Sequence, residues 1–395
     1  MPVKGALEVG EPTPDVVVVG GGVIGLATAW RAAGRGLSVT VCDPAPGSGA
    51  STVAAGMLAP VTEAHYTEQA LLRLTLDSAA RWPALAAELA DATGIDPAYR
   101  ETGTVLAAAD GGDLAMAEEL HAFQQSLGLS VDRLTGREVR TLEPMLAPGI
   151  RGGLFVAGDH QVDPRRLIRA LLAACATTGV TVRPDRVSAV RTDGDSATGV
   201  VLGDGTSLAA GQVLLAAGCW TGAIDGVPEG VLPTVRPVKG QLLRLQVPEQ
   251  ARPFLRHNLR GIVRGASIYL VPRADGELVL GATMEEQGFD TTVTAGAIYE
   301  LLRDAREILP GITELTVTET QAGLRPATAD NMPVLGATAL PGLVLATGHF
   351  RNGILLAPVT ADAVAAVLAG EATPEVARPF SPDRLVRPPS PMAVR

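Results

Sequence analysis

From residue 15 onward, the chain alternates between short apolar segments and longer segments that are apolar on one side only. Val16–Val19 contains no polar residue, which predicts a strand buried on both faces of a parallel sheet. The next segment has apolar residues at helical spacing and ends near Gly34 and Gly36, and 37–42 again favours a strand. The pattern therefore predicts a β-α-β unit.

Later segments of the chain favour strands of two different sheets, one parallel and one antiparallel. Residues 212–218 and 343–348 are apolar and favour the same parallel sheet. Between 233 and 283, alternating positions favour antiparallel strands, with Asp275 and Gly276 in a hairpin turn. We therefore expect an α/β domain in separate pieces with an antiparallel domain inserted. Helices are predicted at 77–92, 113–127, 137–148, 164–178, 295–308 and 353–368, and further strands at 181–190, 199–208 and 316–324.

The turn between the first strand and helix carries the first candidate chemistry. Gly20, Gly22 and Gly25 complete the pattern G-x-G-x-x-G. The first glycine allows the tight turn, the second lets a pyrophosphate approach, and the third lets the helix pack on the strand. Asp43 ends the second strand, where a ribose hydroxyl needs an acceptor. Together these features predict a dinucleotide site.

Composition narrows the class of protein. The chain has 395 residues, 47% of them hydrophobic, and can bury one large core or two. Its net charge of −10 opposes binding to nucleic acid or acidic membranes. Cys42, Cys175 and Cys219 lack paired spacing and indicate neither a disulfide framework nor a zinc site. Prolines and glycines divide the uncharged segment 331–350 into pieces too short for one membrane-spanning helix. We therefore expect a soluble cytoplasmic protein.

Several further segments carry a resemblance to a known family. They are Ala54–Leu58, Pro237–Gly240, Tyr269–Arg273 with Gly281–Met284, Gly323–Pro326 and Gly348–Pro358. On these residues, and over about 15–371, the chain resembles the FAD-dependent oxidases of D-amino acids and sarcosine, most closely those oxidising glycine for thiamine synthesis. The resemblance implies a glutathione-reductase-type (Rossmann-like) FAD-binding domain with an inserted antiparallel-sheet substrate domain. The implied FAD-binding domain is 15–90, 158–228 and 325–372, the substrate domain is 91–157 and 229–324, and 1–14 and 373–395 are tails.

The resemblance also implies noncovalent FAD. Related sarcosine oxidases carry a cysteine after the position of Arg325, whereas 326–336 contains none here. Asp43 replaces the more usual glutamate and would still accept from ribose. His349–Leu355 is expected to open the last helix, whose N-terminus would stabilise negative charge on the flavin. The implied FAD contacts are Gly20, Gly22, Val23, Ile24, Gly25, Asp43, Pro44, Ala50, Ser51, Ala55, Gly56, Met57, Val187, His349, Phe350, Arg351, Asn352, Gly353, Ile354 and Leu355.

Four residues are implied to bind the substrate: Arg325, Arg351, Tyr269 and Met284. A guanidinium matches a planar carboxylate with two parallel hydrogen bonds, so Arg325 is the expected anchor, assisted by Arg351. The Tyr269 hydroxyl would contact the carboxylate or the amine, and Met284 would limit substrate size. Ser267 stands where the family can have a histidine, which leaves the preference among small amino acids open.

The implied reaction is oxidation of glycine by hydride transfer from Cα to flavin N5, giving iminoacetate or glyoxylate, ammonia and hydrogen peroxide. It requires neither a metal nor a catalytic side chain. The implied partners are a small amino acid, oxygen and, for the imine, a thiazole-forming enzyme. A homo-oligomer is also expected, since related enzymes are often tetramers.

Three alternatives remain open. The first is a D-amino acid or sarcosine oxidase or dehydrogenase of the same family, which would share the fold and the anchor and, as a dehydrogenase, would use another electron acceptor. A flavin-binding subunit of a larger dehydrogenase complex would not need Arg325 and Arg351. A tRNA-modifying oxidase domain is disfavoured by the negative net charge.

Overall fold

The computed structural model describes residues 13–386 and is built around a mostly parallel sheet and a larger, mostly antiparallel sheet. The strands β1–β19 are Val16–Val19, Val39–Cys42, Met57–Leu58, Thr104–Ala108, Asp132–Thr135, Gly152–Val156, His160–Gln161, Thr181–Arg183, Val187–Asp193, Ser196–Leu202, Ser207–Ala209, Gln212–Leu215, Arg236–Gln246, Asn258–Val263, Ala266–Pro272, Glu277–Gly281, Thr316–Ala327, Val334–Ala337 and Leu343–Thr347. The helices α1–α9 are Val23–Ala33, Ala50–Val53, Gln69–Thr93, Gly111–Ser126, Gly136–Leu142, Pro164–Thr177, Ala295–Ile308, Ala357–Leu368 and Asp383–Val386.

The mostly parallel sheet has the strand order β18–β19–β12–β1–β2–β8. β1 pairs in parallel with β12 on one side and with β2 on the other. Val16 and Val18 pack in one core with α1, α6 and α8, whereas Val17 and Val19 pack in another with β9 and β10. Both faces of β1 are therefore buried, as its uninterrupted valines predict.

The larger sheet has the order β17–β13–β16–β15–β14–β4–β6–β5 and is antiparallel except where β14 meets β4. One face is covered by α7, whose Leu301 and Ile308 pack in a core with Leu270 of β15. The opposite face carries Tyr269, which packs near Ala55 in the loop after α2. This face is turned toward the nucleotide-binding unit, and the predicted α/β fold class is confirmed.

Several element boundaries differ from the predicted ones. The sequence predicts the last helix from 353, whereas α8 begins at Ala357 after a 3-10 turn, Phe350–Asn352. Pro358 lies in the first turn of α8, where the missing N–H is tolerated. The strand predicted at 181–190 is divided into β8 and β9, which belong to different sheets. The sequence patterns also miss β4, β6 and β14.

Part of the predicted C-terminal tail is packed against the parallel-sheet core. Residues Glu375–Phe380 form a 3-10 helix, and Ala377 and Phe380 are buried in the core that contains α8. The packed fold thus extends beyond residue 373. Residues 1–12 and 387–395 of the two predicted tails lie outside the described residues.

The three cysteines are buried and unpaired. Burial raises the pKa of the Cys42 thiol to about 11 and those of Cys175 and Cys219 to about 12. Within residues 13–386, no cluster of His, Cys, Asp and Glu has the arrangement of a metal site. None of the helices in this range combines the length and apolarity needed to cross a membrane.

Candidate active site

A cavity of about 930 Å³ extends from the glycine-rich turn after β1 to the face of the antiparallel sheet that carries Tyr269. The cofactor and substrate residues predicted from the sequence all line this cavity, with the exception of Gly25. Gly25 packs instead on the turn itself, where a Cβ would collide with the carbonyl of Gly20. The fold therefore brings together residues from distant parts of the chain.

The glycine-rich turn leaves its backbone open to an anion. Gly20 has a φ of 109°, and a Cβ there would collide with the carbonyl of Ala216. α1 has no acidic residue in its first turn, and the Ser51 hydroxyl accepts from the Val23 N–H at 3.0 Å. A helix N-terminus without acidic neighbours favours a bound phosphate. These residues fit the pyrophosphate of FAD.

Asp43 also braces this turn. Its Oδ2 accepts from the Gly21 N–H at 2.7 Å, and its Oδ1 accepts from the Ala45 N–H at 2.8 Å. Each carboxylate oxygen has two lone pairs, so either can still accept from a ribose hydroxyl. The structure thus adds a local structural role to the predicted ribose contact.

The loop between α2 and β3 is fixed by a buried arginine that sequence reasoning noted only as part of a motif. Arg273 donates to the Ala55 carbonyl, to Gln161 Oε1 at 2.7 Å and to the Val162 carbonyl at 3.0 Å. Burial lowers the pKa of Arg273 to about 10, which leaves it charged at neutral pH. A Cβ on Gly56 would collide with the Val162 carbonyl, so this loop requires glycine.

The segment His349–Leu355 lines the cavity as a turn, and not as the start of a helix. This turn leads directly into α8, so the regular helix begins at Ala357, four residues later than the sequence predicts. The Leu355 carbonyl fixes the turn by accepting from the Ser78 hydroxyl at 2.6 Å and the Trp82 indole at 2.9 Å. Burial lowers the pKa of His349 to about 3, and its Nε2 lies 3.1 Å from Thr360 Oγ1. His349 is thus neutral at physiological pH.

Arg325 lies on the sheet face that forms the floor of the cavity. Its guanidinium lies over Gly240, where any Cβ would collide with it. Nη1 donates to the carbonyls of Thr283 at 3.1 Å and Lys239 at 3.4 Å. Among the described residues, no carboxylate forms an ion pair with this guanidinium. A cation without an acidic partner on a cavity wall suits an anionic ligand.

Tyr269 occupies the neighbouring part of the floor. On β15 it faces Gly281 of β16 on one side and Arg260 of β14 on the other. A Cβ on Gly281 would collide with the Tyr269 hydroxyl, so the ring lies across β16. Burial raises the pKa of this hydroxyl, which stays protonated and can donate a hydrogen bond.

Arg351 lines the same cavity but is already ion-paired. Its Nε lies 3.3 Å from Glu63 Oε2, and its Nη2 lies 3.2 Å from Glu68 Oε2. Two carboxylates therefore balance its charge. This pairing does not support the expected role of Arg351 as a second carboxylate anchor.

Sequence reasoning missed Glu63 and Arg260, which complete the charged end of the cavity. Arg260 Nη1 lies 2.5 Å from Glu63 Oε1. Burial raises the pKa of the Glu63 carboxyl, but Arg260 and Arg351 outweigh that effect and hold it below its usual value. Glu63 follows β3 in a loop without a motif. Arg260 would have been found from strand alternation opposite Tyr269 if β14 had been predicted.

Met284 lies at the mouth of the cavity, with 71% of its surface exposed. Tyr66, Met116 and Trp220 are other exposed residues that line the cavity. An apolar side chain this exposed does not bound the space beside Arg325. The structure therefore gives no support to Met284 as the limit on substrate size.

Comparisons with known proteins agree with this geometry. A glycine oxidase of Geobacillus kaustophilus is 35% identical, with 93% of this chain and 96% of that protein covered. The crystal structure of glycine oxidase from the same organism has a TM-score of 0.86 at 34% identity, covering 93% of this chain and 98% of that one. A bifunctional ThiO/ThiG protein of Trichormus variabilis is 35% identical over 89% of this chain, which spans 52% of that relative.

The chain thus covers about half the length of the bifunctional relatives and nearly all of a single-function one. The family model described as "FAD dependent oxidoreductase" matches residues 15–367, which include both sheets and the cavity between them. This chain therefore belongs to the family of FAD-dependent oxidoreductases.

Proposed function

We propose that the protein oxidises glycine, with FAD held noncovalently in the cavity. The observation that carries this proposal is Arg325, a cation on the cavity floor without an acidic partner among the described residues. An amino-acid carboxylate would complete its hydrogen bonding with two parallel N–H···O bonds. The glycine oxidases at about 35% identity support the choice of substrate.

FAD, when bound, supplies a two-electron acceptor. The glycine-rich turn, Asp43 and Ser51 would hold its nucleotide half, and His349–Leu355 would border its ring. Arg325 would anchor the substrate carboxylate, and the Tyr269 hydroxyl would donate to the same group. The residues of this chain would thus serve mainly to position the substrate.

In the overall reaction, glycine loses two electrons and two protons to give iminoacetate, which water hydrolyses to glyoxylate and ammonia. Oxygen takes up the two electrons and two protons as hydrogen peroxide. The ThiO/ThiG fusions support delivery of the imine to a thiazole-forming enzyme in thiamine synthesis. We also propose that the protein is cytoplasmic and forms a homo-oligomer.

The test is to supply the purified holoprotein with glycine, sarcosine or D-alanine and measure oxygen uptake and peroxide. We expect the highest kcat/KM with glycine. A higher value for sarcosine or D-alanine would assign the enzyme to another member of the family. Flavin bleaching under nitrogen without peroxide in air would identify a dehydrogenase instead.

A further inference from the structure

We propose that Glu63 is a specificity-determining residue that restricts the substrate to amino acids with a single carboxylate group. It does so by neutralising the two arginines, Arg260 and Arg351, that border the cavity beside Tyr269. The inference rests on the proposed function, because it concerns which amino acids can bind at Arg325.

Glu63 bridges the two arginines with separate oxygens. Oε1 lies 2.5 Å from Arg260 Nη1, and Oε2 lies 3.3 Å from Arg351 Nε. The Glu63 and Arg351 side chains are each 21% exposed and that of Arg260 is 17% exposed. Partly buried pairs of this kind are weakly screened by solvent, so each charge has a strong local effect.

The position of Glu63 is fixed by a buried carboxyl group. Asp159 accepts from the Val61 N–H at 3.1 Å, the Thr62 N–H at 2.8 Å and the Thr62 hydroxyl at 2.7 Å. Asp159 itself is fully buried. Thr62, just before Glu63, is therefore anchored through both its backbone and its side chain, and the Glu63 carboxylate is held by Arg260 and Arg351.

The charges at this end of the cavity leave room for one anion. Arg325, Arg260 and Arg351 line the cavity and supply three positive charges, and Glu63 supplies one negative charge from the same lining. Glu68 lies behind Arg351, pairs with it and supplies the second negative charge. One substrate carboxylate on Arg325 balances the remainder. A second anionic group would lie in the cavity without a cation of its own, and burying an unpaired charge is strongly unfavourable. Glu63 thus provides selectivity by disfavouring ligands that carry a second anionic group.

Removing the Glu63 charge would reverse this balance. In Glu63→Gln, Arg351 keeps Glu68 as a partner, whereas Arg260 loses its acidic partner. Arg260 and Tyr269 are cross-strand neighbours on the sheet that also carries Arg325. The variant should therefore accept amino acids with a second carboxylate, such as iminodiacetate, D-aspartate or D-glutamate.

The test measures binding of unreactive acids to the holoprotein, by flavin absorbance and by thermal shift. The probes are matched pairs that differ by one carboxylate: acetate and malonate, propionate and succinate, butyrate and glutarate. In the unaltered protein, each monocarboxylate should bind at least as tightly as its dicarboxylate. In Glu63→Gln, at least one dicarboxylate should gain about tenfold or more relative to its partner, as for a new charge-assisted contact.

Two further variants complete the design. Glu63→Gln with Arg260→Gln should lose the gain, and Glu307→Gln, which removes the same charge from an exposed pair with Arg264, should show none. Tighter dicarboxylate binding by the unaltered protein would overturn the proposal without any variant. An unchanged ratio in Glu63→Gln, or a gain that survives the loss of Arg260, would overturn it as well. Glycine turnover is measured separately: its absence contradicts the proposed function, while the binding ratios still decide the role of Glu63.

Discussion

At the residue scale, Arg325 combines a cavity position with the lack of an acidic partner among the described residues, so its loss should affect ligand binding more than folding. Arg325→Ala is expected to lower kcat/KM for glycine about 100-fold or more, since truncating one side of a buried charged contact costs about 2–5 kcal/mol. Oxygen uptake measures the effect. Arg191→Ala, which removes an arginine bonded to Thr198 away from the cavity, should leave kcat/KM unchanged. Equal activity of the two variants would contradict the anchor.

Gly240 leaves space for the Arg325 guanidinium, which occupies the position that a Cβ on residue 240 would take. Gly240→Ala should displace the guanidinium and raise KM for glycine about tenfold, the effect of a loss near 1.4 kcal/mol. Gly296→Ala is the matched control, since nothing lies within 4 Å of the added methyl group. A normal KM in Gly240→Ala would show that the guanidinium position is not critical.

His349 gives stability a defined pH dependence. Its pKa is about 3 in the folded protein against an ordinary 6.5, because burial disfavours the charged ring. Below pH 6.5 the unfolded chain gains this proton first, so the stability due to neutral His349 is lost as the pH falls. Between pH 7 and 5, the loss should amount to about 2 kcal/mol. Urea unfolding of the unaltered protein and of His349→Gln at several pH values measures this loss. The free energy of unfolding should depend less on pH in the variant, by the same amount. An equal pH dependence in the two proteins would contradict the prediction.

At the element scale, the sequence predicts structure well where the determining contacts are local. The valine run and the glycine-rich turn specify β1 and α1, and Asp163 with Pro164 correctly marks the start of α6. β4 and β14 lack such signals and contain alanine, glycine or a central arginine. They pair with each other across 154 residues, Thr104 with Asn258, so they are specified by the sheet as a whole.

The connection 282–294 between β16 and α7 is held by a buried lysine. Lys239 is 1% exposed, its Nζ lies 2.6 Å from Asp290 Oδ2, and its backbone exchanges two hydrogen bonds with Glu285. Asp290→Asn should lower Tm, because it leaves a buried ammonium without its counter-ion. Lys239→Met combined with Asp290→Asn should recover much of that loss. A double variant as unstable as Asp290→Asn alone would contradict the role of the charge pair.

At the scale of the whole molecule, the site is assembled from segments that no local pattern connects. Sequence motifs identified Arg325, Tyr269, Gly20 and Gly22, and all four line the cavity. Glu63 and Arg260 were missed, because their pairing depends on how a loop of one sheet meets a strand of the other. The ion pairs of Arg351 also depend on tertiary packing, which is why the sequence did not predict them.

Because the cavity lies between the two sheets, a ligand that fills it should link their stabilities. Removing FAD should lower Tm, and adding it back should restore the original value. With free FAD at about 100 times its Kd, the expected stabilisation is about 2.7 kcal/mol. Differential scanning calorimetry of the apoprotein and holoprotein measures the change. An unaltered Tm would contradict binding of FAD to the folded protein.

The buried thiols have a further consequence for a protein proposed to release hydrogen peroxide. Thiolates are the form of cysteine that peroxide oxidises, and the high pKa values of Cys42 and Cys219 keep them protonated even though both border the cavity. Met284 lines the same cavity and is 71% exposed, so it is open to peroxide, and methionine sulfoxide can be repaired enzymatically. We therefore expect peroxide to oxidise Met284 before Cys42 or Cys219, so that the enzyme stays folded and active through many turnovers.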